Sequence, residues 1–341
     1  MSSLLSNWSR NLQFVPPHYV LPEDKRPGDE IAAPICKDIP VIDLSQLAGL
    51  DRNQMIQQIM KAAMNLGIFQ VINHGVSKEL MDETMNLFKE FINMPAENRA
   101  TYCPEDGVKG FGLYTSSTKG NNFWKDTLRH ICEPNIEDNI HSWPEKPTRY
   151  REVVKAYSME VKKLGSNILD LICEGLGIKL GYFEGELTQH QDLLVNNYPP
   201  CPEPSLVLGG DVHTDLGLLT ILQQEDIYGL QIFKDSKWFG VEPIPHAFVI
   251  NVADQLEVIT NGKLKSAPHR AVTNNDVARM SIATFFVPSL ESIIEPKQAL
   301  LKPYEPKLFK SFQFKEYRDS YFANHRQKDP TAATTLDAYK L

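Results

Sequence analysis

The second half of the chain narrows the fold most. From residue 193 onward it is a succession of short apolar runs, at 193–196, 218–222, 230–234, 247–252, 255–260, 270–273 and 280–287, separated by Gly, Pro and Asn. Each run has the length of a strand, and most are rich in β-branched or aromatic residues, which favour a pleated and half-buried surface. Asn261-Gly262 falls between two of the runs. That dipeptide tolerates the two positive φ angles of a type I′ turn, so an antiparallel hairpin is expected there. Seven or eight short strands in one stretch bury their faces most readily as a barrel or jelly roll.

The first half has a different texture, and the change falls near residue 188. An irregular, proline-containing leader runs to about residue 38, followed by a short strand over 40–44 and a helix over 52–66 that Gly67 can terminate. Residues 68–72 read as a strand. Ser77 is a suitable N-cap for a helix whose stripe is Leu80, Thr84, Leu87, Phe88 and Phe91, three and four apart. A longer helix opens at Pro147-Thr148, carries Val153, Val154, Tyr157, Val161, Leu164, Ile168, Leu171 and Ile172 on one side, and closes at Gly175 and Gly177. The last stretch, from 303, alternates polar and aromatic residues like a helix laid over something else. The expected layout is mainly β with flanking helices: a helical N-terminal region (1–187), a strand-built core (188–295) and a C-terminal helical cap (296–341).

Composition limits the partners. The chain has 43 acidic and 35 basic residues, a net charge of −8 that repels a phosphate backbone, so no nucleic-acid partner is expected. No apolar run approaches the ~18 residues a membrane span needs. The N-terminal residues lack the pattern of a signal or transit peptide, so a cytoplasmic location is expected. Cys36, Cys103, Cys132, Cys173 and Cys201 are odd in number and scattered, with no Cys-x-x-Cys pair, and read as reduced thiols.

Chemistry concentrates in a few positions of the strand region. His213-Thr214-Asp215 is followed, after 53 intervening residues, by His269. Two imidazoles and one carboxylate form a facial ligand set for a divalent first-row metal and leave positions open. In a strand, residues two apart face the same way, so His213 and Asp215 can converge at a strand end. A His-x-Asp pair also arises by chance, and a lone histidine is more often a packed core residue; all three together, at strand ends, favour the metal. Asp211 is set aside as a neighbouring acid outside the set. Ten residues after His269 comes Arg279-Met280-Ser281 in a strongly apolar run. A guanidinium facing a barrel interior is costly unless it meets an anion, and its fork suits a carboxylate, with the Ser281 hydroxyl able to donate to the same group. An internal bridge to an Asp or Glu is the plain alternative. Asn196 and Tyr198 share a strand face just before Pro199-Pro200-Cys201.

Taken together, Asn196-Asn197-Tyr198-Pro199-Pro200-Cys201, His213-Thr214-Asp215, His269 and Arg279-Met280-Ser281 resemble the plant 2-oxoglutarate- and Fe(II)-dependent dioxygenases, whose pattern reads Asn-Tyr-Tyr-Pro-x-Cys, His-x-Asp, a distal His and Arg-x-Ser. The resemblance extends to Pro40-Val-Ile-Asp-Leu44, Gly67-Ile-Phe-Gln-Val-Ile-Asn-His-Gly75 and Asn261-Gly-Lys-Leu-Lys-Ser-Ala-Pro-His-Arg270, and so to most of the chain. Within the family, Trp124-Lys-Asp-Thr-Leu128, Ser142-Trp-Pro-Glu-Lys-Pro147 and Ile172-Cys-Glu-Gly-Leu-Gly177 are similar to the hyoscyamine-hydroxylase-like branch that acts on tropane alkaloids. This chain departs from that branch at Thr214 and Asn197, where the branch carries Tyr, and it offers only hydroxyls in the Leu113–Ser117 stretch.

The resemblance implies a double-stranded β-helix fold, with His213, Asp215 and His269 binding Fe(II). It implies Arg279 and Ser281 on the distal carboxylate of 2-oxoglutarate, and Tyr198 and Asn196 contacting the same cosubstrate. O2 would be the oxidant, ascorbate the supporting reductant, succinate and CO2 the coproducts, and the reaction a hydroxylation or further oxidation of a plant specialised metabolite, an alkaloid by the branch resemblance. The substrate is held by shape. Phe285, on the strand face of Ser281, is the best stacking candidate, followed by Phe123, Tyr114, Leu194, Tyr321 and Phe322, each of which can equally be ordinary packing. His74 is assigned a structural role. Nothing requires more than a monomer. Two other classes remain open: a non-catalytic small-molecule binder on the same barrel, which leaves the complete ligand set without purpose, and a zinc hydrolase, which leaves Arg279 without purpose.

Overall fold

The computed structural model describes residues 4–46, 49, 51–102, 112–115, 122–326 and 335–341. Twelve strands build its core: β1 (Val41–Asp43), β2 (Ile68–Ile72), β3 (Gly112–Thr115), β4 (Asp126–Glu133), β5 (His190–Tyr198), β6 (Gly210–His213), β7 (Leu219–Gln224), β8 (Leu230–Lys234), β9 (Lys237–Gly240), β10 (Phe248–Val252), β11 (His269–Ala271) and β12 (Arg279–Val287). They form an eight-stranded sheet in the order β1-β2-β10-β7-β12-β5-β4-β3 and a four-stranded sheet in the order β6-β11-β8-β9. Pairing is antiparallel throughout except β1 with β2. This is the jelly-roll architecture expected from the short runs, with the large sheet drawing strands from both sides of residue 188.

The large sheet has two unlike faces because alternate side chains of a strand point to opposite sides. Along β12, Met280, Ile282 and Phe286 join a large core shared with helices α1 (Arg52–Asn65), α2 (Lys78–Asn93) and α3 (Tyr150–Leu176). Ala283 and Phe285 point the other way, into a smaller cluster with Ile68, Leu222 and Val249 of the large sheet and Leu230 and Ile232 of the small one. That second face is concave and is where the chemistry-bearing side chains gather.

The helices follow their sequence signals. Ser77 caps α2 by accepting the Leu80 N–H at 3.1 Å, and Thr84, Leu87, Phe88 and Phe91 are buried with Leu80 partly so. Helix α3 begins two residues later than Thr148 and ends where Gly177, at φ +68°, adopts the left-handed conformation that spares it a Cβ clash. No helix among the described residues is long and apolar enough to cross a membrane. Cys36, Cys132, Cys173 and Cys201 are buried free thiols, whereas Cys103 lies outside the described residues.

One expected strand is a helix. Residues 255–260 alternate apolar and polar at Leu256 and Val258, a pattern of period two, yet Asp254–Ile259 form helix α4. Asn261-Gly262 is its C-terminal cap, not a hairpin turn. The Gly262 N–H reaches the Glu257 carbonyl at 2.8 Å and the Asn261 N–H reaches Val258 at 2.9 Å, the paired bonds of a Schellman motif. Both residues have positive φ, +53° and +75°, so the local chemistry was read correctly and its context was not. The alternation lost to tertiary hydrogen bonds. The Asp254 N–H bonds the Asp215 carbonyl at 2.9 Å, the Gln255 N–H bonds Gly217 at 2.9 Å, and Gln255 Nε2 bonds Leu216 at 2.8 Å, winding this segment against the turn that follows β6.

The C-terminal stretch does cap the barrel. Helix α5 (Phe314–Arg326) buries Phe314, Tyr317 and Tyr321. Tyr317 Oη donates to Asp254 at 2.6 Å, and Tyr321 Oη donates to the Thr214 carbonyl at 2.8 Å.

Candidate metal and cosubstrate site

Strand β6 ends at His213, which pairs directly with His269 across from it on β11. Asp215 lies past the strand, in the turn, so convergence does not come from one strand face as the spacing of two residues suggested. The turn itself delivers it, held by the α4 backbone bonds and the Tyr321 tie. His213 Nε2 and His269 Nε2 each stand 3.6 Å from Asp215 Oδ1. The two rings are 4.3 Å apart, and all three ligand atoms fall within 4.8 Å of one another.

The imidazoles are oriented for coordination. His213 Nδ1 lies 2.8 Å from the Asp211 carbonyl and His269 Nδ1 lies 3.0 Å from that of Ala267. A carbonyl only accepts, so both rings carry their proton on Nδ1 and turn the Nε2 lone pair toward Asp215, the tautomer that a backbone partner imposes on metal-binding histidines. Burial first, and the neighbouring His269 second, hold the His213 imidazole well below its usual range, which keeps it neutral. Asp215 is almost fully buried, with Asn251 Nδ2 at 3.5 Å from Oδ2. A buried carboxyl between two imidazoles that aim their Nε2 atoms at it offers three convergent ligand atoms, which suits a divalent ion. Asp211 contributes its backbone carbonyl to the His213 ring, which agrees with its exclusion from the ligand set.

Arg279 lies on the same concave face, 3 % exposed. Its Nη2 donates to Gln224 Oε1 at 3.0 Å and its Nε to the Ile227 carbonyl at 3.2 Å, and the guanidinium sits 5.2 Å from the Tyr198 ring centre. Among the described residues it pairs with no carboxylate, so the internal bridge weighed from sequence is absent. Burial lowers its pKa, the direction expected of a cation lacking a counter-charge. Gly229 makes room for it: a Cβ there would stand 2.7 Å from Arg279 Cδ. Ser281 and Asn196 are cross-strand partners, as are Arg279 and Tyr198, so all four share one corner of the face. Asn196 Oδ1 accepts from Thr127 Oγ1 at 2.9 Å. The donor set, a buried unpaired guanidinium with a hydroxyl beside it, fits the carboxylate end of a dicarboxylate.

The other sequence candidates scatter. Phe285 stands opposite Asp192, Leu194 opposite Ala283 and Arg129, and Tyr114 opposite Thr127, which put these three on the concave face. Phe123 packs with Leu21, Leu208 and Val272. Phe322 is 42 % exposed and edge-on to Tyr321, and the Tyr321 hydroxyl is committed to the ligand turn. His74 accepts the Val76 N–H at 3.3 Å and packs on Phe248. Sequence reasoning missed Asp192, Arg129 and Asn251. The first two are ion-paired on the concave face, and only the strand register, not a motif, reveals them.

A jelly roll that gathers two histidines, a buried carboxyl and an interior arginine without a counter-charge has the make-up of a non-haem oxygenase site. Comparison with known proteins agrees. The 2OG-Fe(II) oxygenase superfamily matches residues 190–288, and the N-terminal region described as non-haem dioxygenase in morphine synthesis matches residues 39–146. Hyoscyamine 6-dioxygenase from Hyoscyamus niger is 44 % identical over 96 % of this chain and 97 % of its own length, and 2'-deoxymugineic-acid 2'-dioxygenase from Hordeum vulgare is 37 % identical over 91 % and 92 %. The crystal structure of JOX2 in complex with 2OG, Fe and JA superposes with a TM-score of 0.87 at 32 % identity, covering 100 % of this chain and 98 % of that one. The chain belongs to the 2OG-Fe(II) oxygenase superfamily. It is a dioxygenase that uses Fe(II) and 2-oxoglutarate.

Proposed function

We propose that this chain hydroxylates a ring-bearing alkaloid, with His213, Asp215 and His269 as the iron ligands and Arg279, Ser281, Tyr198 and Asn196 around 2-oxoglutarate. Bound iron and 2-oxoglutarate supply, with O2, the oxidising power to break a C–H bond. The side chains of the barrel bind, orient and exclude water. Arg279 fixes the far end of the keto acid, and the Nδ1 bonds of the two histidines keep their lone pairs aimed before iron arrives.

The observation that carries the substrate class is the Asp192 carboxylate opposite Phe285 on the concave face. Its Oδ2 engages Arg129 Nη2, while Oδ1 has no hydrogen-bond partner among the described residues. A protonated amine needs a carboxylate or an aromatic face, and here both stand together. The 44 % identity to hyoscyamine 6-dioxygenase supports the same class. The leader and helices of 1–187 and the cap of 296–341 would then act as the frame of a jelly-roll core over 188–295.

An anaerobic titration tests the reading in two stages. Adding 2-oxoglutarate to the Fe(II) protein should raise a saturable visible charge-transfer band that Arg279→Ala abolishes; folded, iron-loaded protein with no band overturns the cosubstrate assignment. With the band established, amine alkaloids should stimulate succinate formation, and Asp192→Asn should raise their KM about tenfold, the cost of one charge-assisted bond. Stimulation by neutral phenolics alone, indifferent to Asp192→Asn, would overturn the alkaloid assignment and leave the cosubstrate assignment standing.

A further inference from the structure

On the convex side of the large sheet, directly behind the Arg279 corner, lies a crevice of about 160 Å³. Its floor is mainly apolar, made by Ile92 of α2, Pro199 and Pro200 after β5, and Met280 of β12, and Arg279 borders it from the start of β12. Asn197 lies in it as well. It is the cross-strand partner of Met280, and it alternates with the cosubstrate-side Asn196 and Tyr198, so its side chain points away from the barrel interior. Asn197 is 7 % exposed, and its amide has no hydrogen-bond partner among the described residues. The amide opens onto the crevice, where it can donate to a ligand atom. The dioxygenase pattern carries Tyr at this position, so Asn here shortens the side chain facing the crevice.

The mouth is cationic. Arg10 borders it, donates to Asn93 Oδ1 at 2.7 Å and forms no ion pair among the described residues. Lys89 is committed to Glu225, whose other oxygen accepts the Met280 N–H at 2.7 Å. One guanidinium without an ion pair, one unpartnered amide and a mainly apolar floor together suit a ligand with an anionic end and an apolar body. Size sets its bulk, since an apolar protein cavity of ~150 Å³ holds one benzene ring.

We propose that this crevice is a binding site for a small monocarboxylate with a single ring, separate from the iron and cosubstrate site. The ring lies on Ile92, Pro199, Pro200 and Met280, and the carboxylate takes hydrogen bonds from Asn197 Nδ2 and Arg10. Glu225 and its neighbour Gln224, which holds Arg279, make the crevice wall continuous with the cosubstrate corner of β12.

Benzoate is a suitable probe, titrated calorimetrically into the full chain loaded with a redox-inert divalent metal and saturating 2-oxoglutarate, so that the cosubstrate place is filled. One saturable site is expected. Asn197→Tyr, which restores the family's residue, should weaken it at least tenfold while leaving 2-oxoglutarate affinity unchanged. Arg10→Gln, at an exposed position where folding is not at stake, should also weaken it about tenfold and guards against a misfolded Tyr variant. Absence of saturable binding overturns the proposal. So does binding of equal strength in both variants, which would put benzoate in the substrate pocket instead.

Discussion

The two faces of the eight-stranded sheet are made by the same strands and built by opposite rules. The convex face meets α2 and α3 with Phe88, Phe91, Tyr150, Tyr157 and Phe286, large side chains at most 2 % exposed. The concave face holds Arg279, Ser281, Asn196 and Asn251, also buried but polar, with Thr220 Oγ1 and Asn251 Oδ1 lacking hydrogen-bond partners. Burial on the first face removes apolar area from water and stabilises the fold. Polar atoms without partners occur on both faces, Tyr157 Oη and Thr284 Oγ1 among them on the convex one, but the charge buried without a counter-charge, the Arg279 guanidinium, lies on the concave face.

The comparison can be broken from either side. Asp215→Ala should cause the largest loss, abolishing substrate-dependent succinate formation while the melting temperature stays close to that of the unaltered chain; full turnover in that variant would remove Asp215 from the ligand set. Phe88→Ala, on the convex face, should do the reverse. It should cost about 3–5 kcal/mol of stability through a cavity beside Tyr150 and leave the KM for 2-oxoglutarate unchanged in the protein that remains folded, as denaturant melts and kinetics would show. Arg279→Lys should raise that KM about tenfold with little change in stability, because one ammonium cannot reproduce the guanidinium fork. An unchanged KM would detach Arg279 from the cosubstrate.

The last effect is confined to acid pH. His130 is fully buried on the convex face, 2.9 Å from Tyr150 Oη, and burial holds its imidazole down to about 3. Its folded pKa is therefore depressed below the ordinary value of about 6.5. The stability it contributes is complete above that value and is lost as pH falls toward 3, by at most about 1.4 kcal/mol per pH unit. His130→Gln should flatten the acid limb of a stability-versus-pH curve over that window. An unaltered slope would place the acid sensitivity in other groups.

Much of this was legible in the chain, and the exceptions share a cause. The Ser77 cap, the αL glycine at Gly177 and the run of β12 are local chemistry, so sequence and structure agree. That His269 can join His213 was expected from their places at strand ends, and the register makes them direct cross-strand partners. Residues 255–260 failed because alternation is a local signal, while their conformation is dictated by bonds to Asp215, Leu216 and Gly217, about forty positions earlier. Asp192 and Arg129 were invisible for a related reason, since a charged residue in a strand acquires meaning only from the strand beside it. The bond from the Tyr321 hydroxyl to the Thr214 carbonyl is likewise a long-range tie that no local pattern announces.

That last bond joins positions 107 residues apart and runs against the order in which a chain is made. His213, Asp215 and His269 emerge from the ribosome well before Tyr317 and Tyr321. The nascent barrel therefore holds all three proposed iron ligands, and the α4 bonds to their turn, while the Thr214 carbonyl between the first two still lacks its Tyr321 partner. A message that stops short of residue 314 would keep the α4 bonds to this turn and lose the Tyr321 tie, leaving the ligand turn fastened from one side.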